Sequence, residues 1–469
     1  MSSFEEAEAR LLERIEMLGE VTDTPGALTR TFLSRANQEA AALVASWMKG
    51  AGMRVGHDAG GTIRGVLGAN IERRTPNIEH RSERQREEGD AARPLLLGSH
   101  IDTVIDAGKY DGALGVLIAI AALEVTGPLA FPVHVLGFSD EEGVRFQATY
   151  LGSRACVGAL GAEMLEMRDA EGISLEEALE RARAGKLREG EGRPTQNIER
   201  RRSPVEGVQV EASVPAVVSA ELEHPLSGIR LEEFRYGPGE CRGYVEVHIE
   251  QARVLEEAGE AVGVVSAISG QSRLKITIRG QADHAGTTPM HLRKDALTGA
   301  AECVLAVERL ARDSANAAAG LMATVGKLEV SPGAGNVIPG EVRFALDFRH
   351  PDDGERERLL EGLLGQFGDI AAARGLEAFA KTMQSNAAVP CDAALTARLL
   401  DAAEPLTGKR RLLPSGAGHD GVMMATAMPI AMLFVRCRAG LSHHPDEYAS
   451  PEDVGAALKV LVEFLRGVG

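Results

Sequence analysis

Imidazole stands close to carboxylate at several points along this 469-residue chain. Gly98-Ser99-His100-Ile101-Asp102-Thr103 is the first such place. Asp111 follows, at the head of the glycine-rich stretch Asp111-Gly112-Ala113-Leu114-Gly115. Asp140-Glu141-Glu142-Gly143 then sets three acids side by side, and adjacent carboxylates repel one another unless solvent or cations compensate. His248 and the run Ser442-His443-His444-Pro445-Asp446 complete the set. Imidazole and carboxylate together suit a borderline or hard divalent ion such as zinc, manganese or cobalt. Two such ions about 3.5–4 Å apart need a carboxylate between them, and Asp111 is the natural bridge because a helix start would hold it rigidly. Taken singly, each motif has a plainer explanation: Asp111 as a helix cap, the acid cluster as a solvated loop. Their conjunction argues for a metal centre.

The elements that must position these residues read as an α/β protein. Pro94–Ser99 is a short apolar strand running into His100, Asp111–Glu124 a helix rich in small residues, and Phe131–Phe138 a second strand ending at the acid cluster. Strand, helix and strand in such close succession imply a mixed, mostly parallel sheet with flanking helices, whose chemistry gathers beyond the strand ends. Glu5–Leu18 and Ser34–Lys49 have helical periodicity, and Met53–Val55, Gly61–Leu67, Tyr244–Ile249 (carrying His248), Val262–Ile268 and Ala431–Val435 read as strands. Residues 161–205 are polar and helical in tendency, clearest over Leu175–Ala184. After Gly270 the texture changes. Strands at Leu274–Ile278, Leu321–Val330 and Val342–Phe348, with helices over Asp295–Arg312 and Gly354–Ala373, predict an inserted α+β domain with a small antiparallel sheet. The expected division is 1–269 and 384–469 for the main domain and 270–383 for the insertion. Near the end, Ser450-Pro451-Glu452-Asp453 starts a helix, with Ser450 as cap, Pro451 in the first turn and Asp453 able to complete a capping box.

Composition excludes several classes. There are 51 Lys plus Arg against 68 Asp plus Glu, a net charge of −17, which disfavours a nucleic-acid or anionic-membrane surface. The partners expected instead are small molecules, metal ions or a second copy of the chain. The five cysteines form no CxxC pair and read as free thiols in a reducing compartment. The first residues lack a basic region followed by an apolar stretch, and no apolar run is long enough to span a bilayer, so a cytoplasmic location is expected. The charge-dense stretch 71–93 reads as an exposed loop.

Gly98–Asp102, Lys109–Gly115, Asp140–Phe146, His248-Ile249-Glu250-Gln251, His284–Pro289, Gly416–Asp420 and Ser442–Pro445 occur in an order that resembles the M20 family of two-metal amidase/carboxypeptidase-type metallohydrolases. Within it they most resemble the branch of allantoate amidohydrolases, N-carbamoyl-L-amino acid hydrolases and β-ureidopropionases, across nearly the whole chain. The resemblance implies a zinc-peptidase-like catalytic domain with an inserted dimerisation or lid domain. It implies one ion held by His100, Asp111 and His248, a second held by Asp111, Glu142 and His443, and Glu141 as general base. Manganese is favoured, with zinc, cobalt or nickel also compatible. His284 would act across the interface of a homodimer to stabilise the oxyanion, while Asn336 and Arg349 bind the substrate carboxylate, for which a guanidinium is well shaped. Without the resemblance, His284 is a polar loop histidine and Arg349 a surface arginine. Gln251 would contact the substrate amide, although Ala252-Arg253 stand where the branch has Gly-Pro. His419 and Asp420 are expected to shape the site rather than ligate. His57, His80, His134, His224, His291 and His350 have no assigned role.

The implied reaction hydrolyses a terminal ureido group. Glu141 takes the proton of a water made acidic by the ions and later returns it to the departing nitrogen; ammonia leaves, and the carbamate loses carbon dioxide. Among small ureido-carboxylates, the run Met432–Arg438 followed by Gly440–Glu447 looks more like allantoate amidohydrolases, giving ureidoglycine as product. An N-carbamoyl-L-amino acid hydrolase or β-ureidopropionase is the alternative with the same metal site. A dipeptidase is disfavoured because His248 stands where the related peptidases use an acid. A non-enzymatic binding role is disfavoured because Glu141 and every candidate ligand are present.

Overall fold

The computed structural model describes residues 3–58, 60–68, 93–127, 129–184 and 235–468. The charged stretch up to residue 92 and the polar stretch beyond 184 lie outside them. The chain divides into two compact units: Met1–Val265 with Cys391–Leu412 and His419–Gly469, and Ser266–Pro390 with Leu413–Gly418.

The first unit is built on a mixed sheet, parallel at its centre and antiparallel toward both edges, rather than the mostly parallel one expected. Its strands are β1 (Arg54–His57), β2 (Ile63–Leu67), β3 (Leu95–His100), β4 (Val133–Phe138), β5 (Gly243–Ile249), β6 (Val262–Ile268, whose last residues belong to the second unit) and β7 (Ile430–Val435), in the order β1-β2-β4-β3-β5-β7-β6. The pairs β4–β3, β3–β5 and β5–β7 are parallel; β1–β2, β2–β4 and β7–β6 are antiparallel. Every residue of β3, β4, β5 and β7 is buried, which is why Leu95-Leu96-Leu97 in β3 and all of β7 are continuous apolar runs, whereas β5 alternates and buries Glu246 and His248. The helix Ala113–Thr126 is buried from Ala113 to Leu123, as a helix apolar on all sides must be. It packs beside the helices Ser3–Gly19 and Pro451–Gly467.

This topology explains how residues 100 to 443 can meet. Because the four central strands are parallel, their C-terminal ends share one edge of the sheet, where open α/β sheets place their chemistry. His100 ends β3, the acid cluster follows the end of β4, and His248 is the penultimate residue of β5.

Two local expectations need correction. Helical structure begins at Ala113, not Asp111, because Gly112 precedes it with φ +64°, a left-handed conformation that cannot continue a right-handed helix. A Cβ there would also overlap the His100 ring. At Ser450 the hydroxyl does accept from the Asp453 N–H (3.1 Å), but the Asp453 carboxylate does not complete a capping box. It takes the Ser450 hydroxyl (2.9 Å) and the Arg436 guanidinium (2.7 and 3.0 Å), a stronger charged partner than a backbone amide.

A second ion pair gives a stability test. Glu260 is buried and accepts from Arg411 Nε and Nη2 (2.9 and 2.7 Å) and from Lys409 Nζ (3.3 Å). The Arg411 hydrogen bonds, opposed by burial and aided by Lys409, hold its carboxyl down to about 2 from 4.5. A depressed folded value stabilises the fold above the unfolded value and loses that contribution as pH falls toward the folded one. Because Arg411 and Lys409 are both partly exposed and water screens the pair, Glu260→Gln is expected to lower stability by about 1 kcal/mol at pH 7. In denaturant titrations its gap from wild type should shrink between pH 4.5 and about 2; a gap that is the same at pH 7 and pH 3 would count against this account.

The second unit holds a four-stranded antiparallel sheet in the spatial order Glu377–Asn386, Gly270–Arg279, Glu341–His350, Met322–Ser331. The inner strands alternate, with Leu274, Ile276, Ile278, Val342, Phe344, Leu346 and Phe348 packed in one core with the helices Ala296–Arg312 and Asp353–Ala373. Strand Glu377–Asn386 has no sequence signature; it is exposed along nearly all its length, so no apolar alternation was needed. Among the described residues no helix is long and apolar enough to cross a membrane, and all five cysteines are free thiols.

Candidate metal centre

Three side chains from three elements converge first. Asp111 Oδ1 lies 3.0 Å from His248 Nε2 and 3.7 Å from His100 Nε2, and the two histidine Nε2 atoms are 3.4 Å apart. All three residues are buried. On the other side, His443 Nε2 is 3.3 Å from both Asp111 Oδ2 and Glu142 Oε1. Two groups of possible metal ligands, His100–Asp111–His248 and Asp111–Glu142–His443, thus share Asp111, each with its ligand atoms within 4.8 Å of one another; a third group joins His100, Glu141 and Glu142. His443 reaches in from a loop with φ 55° and is half exposed.

The donor set fits a pair of cations. His100 Nδ1 faces the Asp102 carbonyl (3.1 Å) and carboxylate (3.4 Å), and His248 Nδ1 the Ile249 carbonyl (2.9 Å). Facing acceptors, both Nδ1 atoms must carry hydrogen. The two Nε2 atoms are then left pointing at each other and at a carboxylate, too close for both to be protonated. A cation among them resolves the conflict.

The charges say the same. Burial alone would raise the Asp111 carboxyl, yet hydrogen bonds from His100, His248 and His443 hold it well below the usual range. Burial, followed by the Glu142 charge, pushes Glu141 well up, and burial with the Asp111 charge pushes Glu142 to about 7. The Asp111 hydrogen bond lifts His443 to about 9. In the absence of cations the cluster keeps protons, which divalent ions would displace.

Asp102, Ser442 and Glu447 support this cluster and had no assigned role. The Asp102 carboxylate accepts the backbone N–H groups of Glu141 (3.0 Å) and Glu142 (3.2 Å) while facing His100. One side chain therefore sets the positions of a candidate ligand ring and of the acid pair; its signal was the His-x-Asp spacing after β3. The Ser442 hydroxyl donates to Asp111 Oδ2 (2.8 Å). Glu447 accepts two amides of the Asp111 turn, and nothing in its local sequence marks it. Gln251, at φ 57°, donates from Nε2 to Ser442 Oγ (3.0 Å) and to the Asp111 carboxylate (3.3 and 3.4 Å), and its Oε1 is buried without a partner. His419 packs edge-on to His248, ring centroids 4.5 Å apart. Burial, then the His248 charge, holds His419 far below its usual value, so it forms a neutral wall. His444 Nδ1 faces Asp446 in its own loop. Of the other histidines, His57, His134 and His350 are buried, His291 is exposed, and His80 and His224 lie outside the described residues.

His284, Asn336 and Arg349 belong to the second unit. His284 pairs in register with Val337, and the Ala285 N–H donates to the Asn336 carbonyl (3.0 Å), so this unit brings His284 and Asn336 together. His284 is exposed, and its Nδ1 accepts the N–H groups of Gly286 (3.0 Å) and Thr287 (3.1 Å). Arg349 is engaged already. It grips Asp347 through Nε (2.7 Å) and Nη2 (3.1 Å) and donates from Nη1 to the Gly416 carbonyl (2.6 Å).

A model of peptidase family M20/M25/M40 matches residues 96–467. The chain belongs to that family. The M20 match spans all the residues of the cluster and the three in the second unit. An allantoate deiminase of Arabidopsis thaliana is 38% identical over 98% of this chain and 82% of its own length. An N-carbamoyl-L-amino acid amidohydrolase of Geobacillus stearothermophilus is 36% identical over 96% of each chain. The fold is shared with a crystal structure of a hydantoinase/carbamoylase family amidase from Burkholderia ambifaria, at TM-score 0.78 and 30% identity over 98% of this M20 chain and 97% of that one.

Proposed function

We propose that the chain is a metal-dependent amidohydrolase of terminal ureido groups, acting on allantoate to give ureidoglycine, ammonia and carbon dioxide. The observation that carries the metal chemistry is the pair of ligand groups meeting at Asp111, with Glu141 beside Glu142. The substrate preference is supported by the allantoate deiminase of Arabidopsis thaliana, 38% identical over 98% of this chain. His100, Asp111 and His248 hold one divalent ion, and Asp111, Glu142 and His443 the second, with manganese as the working metal. Such ions acidify water and polarise a carbonyl.

The chain's own residues do the rest. Glu141 takes the proton of the attacking water and hands it to the departing nitrogen. Gln251, whose Oε1 lacks a partner, accepts from a ureido N–H. His284 carries its hydrogen on Nε2, because Nδ1 is occupied by two backbone donors, and so donates to the oxyanion. Asn336 and Arg349 bind the carboxylate, which must compete with Asp347 for the guanidinium. Segment 270–383 serves as the dimerisation and lid domain, and 1–269 with 384–469 as the catalytic domain. His284 completes the site of a second copy in a homodimer. The exposure of Met290 (77%) and Leu292 (64%) beside the His284 loop supports a covering partner.

The deciding experiment compares ammonia release by the manganese-loaded enzyme from allantoate, N-carbamoyl-L-amino acids and N-carbamoyl-β-alanine. A kcat/KM preference for allantoate of about a hundredfold, roughly 2.7 kcal/mol, is expected. Faster turnover of a carbamoyl amino acid would overturn the substrate assignment and leave the metal chemistry standing.

A further inference from the structure

The helix that follows Asp111 starts without a side-chain cap, since Gly112 has none to offer. The buried N–H groups of Tyr110 and Asp111, just before it, need an acceptor from elsewhere. They find it 337 and 336 residues later in the chain. Glu447 Oε1 accepts both the Tyr110 N–H and the Asp111 N–H, each at 2.9 Å. Glu447 is buried at 4% exposure, and its other oxygen has no hydrogen-bond partner. Its place is made by Gly108, where any Cβ would overlap the Glu447 side chain. The same loop holds the turn twice more: the Ser442 hydroxyl donates to Asp111 Oδ2 (2.8 Å), and the Tyr448 ring meets Tyr110 edge-on, centroids 5.8 Å apart. His443 belongs to this loop as well.

We propose that Glu447 is the positioning residue for Asp111: by accepting both amides of the turn, it fixes the carboxylate shared by the two ligand groups and ties it to the loop that carries His443. This inference rests on the dinuclear reading above. A capping carboxylate that merely stabilised the helix would sit anywhere along its first turn. Glu447 instead binds the main chain of the one residue common to both groups, and it arrives on the segment that supplies a further ligand of one of them. Displacing Asp111 would therefore disturb both ions together. Such supporting contacts typically change metal affinity or activity by about 10–100-fold.

The test uses the full-length chain, stripped of metal, with Glu447→Ala, Glu447→Gln and Gly108→Ala variants. Manganese binding is titrated directly, with zinc in parallel, and kcat, KM and the melting temperature of the metal-free protein are recorded. For Glu447→Ala we expect weaker binding of both ions and a kcat lower by about 10–100-fold, with KM changed less than about threefold. Glu447→Gln keeps a carbonyl oxygen for the two amides and should restore both to within a few-fold. Gly108→Ala, which crowds Glu447 from outside the site, should reproduce the alanine defect, and it decides the matter if Glu447→Ala does not fold. Wild-type metal affinity in a folded Glu447→Ala, with only the melting temperature lowered, would overturn the proposal. So would a Glu447→Gln variant as impaired as Glu447→Ala. Wild-type protein that binds neither ion would overturn the dinuclear reading, and this inference with it.

Discussion

Replacing Glu141 by Gln is expected to lower kcat by about 10²–10⁴-fold, with two ions still bound and KM little changed. Gln fills the same space but offers no carboxylate to take a proton from water or return one to the leaving nitrogen. Glu141 is buried, its backbone is held by Asp102, and burial with the neighbouring Glu142 charge raises its affinity for a proton. That is the tendency a base needs if it is to keep a proton long enough to deliver it. Metal content separates this role from ligation, because Glu141 also lies in a group with His100 and Glu142. A variant that loses an ion would make Glu141 a ligand, and one that keeps more than about a tenth of the activity would exclude it as the base.

The second large effect is expected at Asp111. Asp111→Asn should take the protein from two bound ions to fewer than one at stoichiometric metal, with kcat/KM down by at least about 10³-fold. The physical reason is that one carboxylate serves both groups: Oδ1 faces His248 and His100, and Oδ2 faces His443. An amide carries no charge and can present only one oxygen. His443→Ala offers the contrast, since His443 appears only in the group with Asp111 and Glu142, and its loss should remove one ion while the other stays. Metal analysis after gel filtration measures both. Equal metal loss in the two variants would mean that Asp111 does not bridge.

How much of this was legible in sequence follows from what each residue depends on. Strands β3 and β7 were readable because burial on both faces favours short apolar runs such as Leu95-Leu96-Leu97 and Ile430–Val435, and β5 because its residues alternate. The helices Ala296–Arg312 and Pro451–Gly467 announce themselves by periodicity and by the Asp295 and Ser450 caps. Strand Glu377–Asn386 was silent, because an exposed strand is held by backbone pairing to Gly270–Arg279 and asks little of its side chains.

The site divides in the same way. Ligand types are a matter of chemistry, so His100, Asp111, the Asp140-Glu141-Glu142 cluster, His248 and the His443-His444 run stand out as candidates before any fold is known, while separate roles for Glu141 and Glu142 come from the family resemblance. The chain alone also determines family membership, through motifs at fixed order and spacing. What only the tertiary structure decided is what holds those candidates: Asp102 beneath the acid pair, Ser442 on the Asp111 carboxylate, and Glu447 on the Asp111 amide. Glu447 and Asp111 are 336 residues apart, and no local pattern can pair them. Hydrogen bonds of that kind exist only once four parallel strands have brought their C-terminal ends to one edge, and a carboxylate in a loop looks the same in sequence whether it faces water or a buried amide.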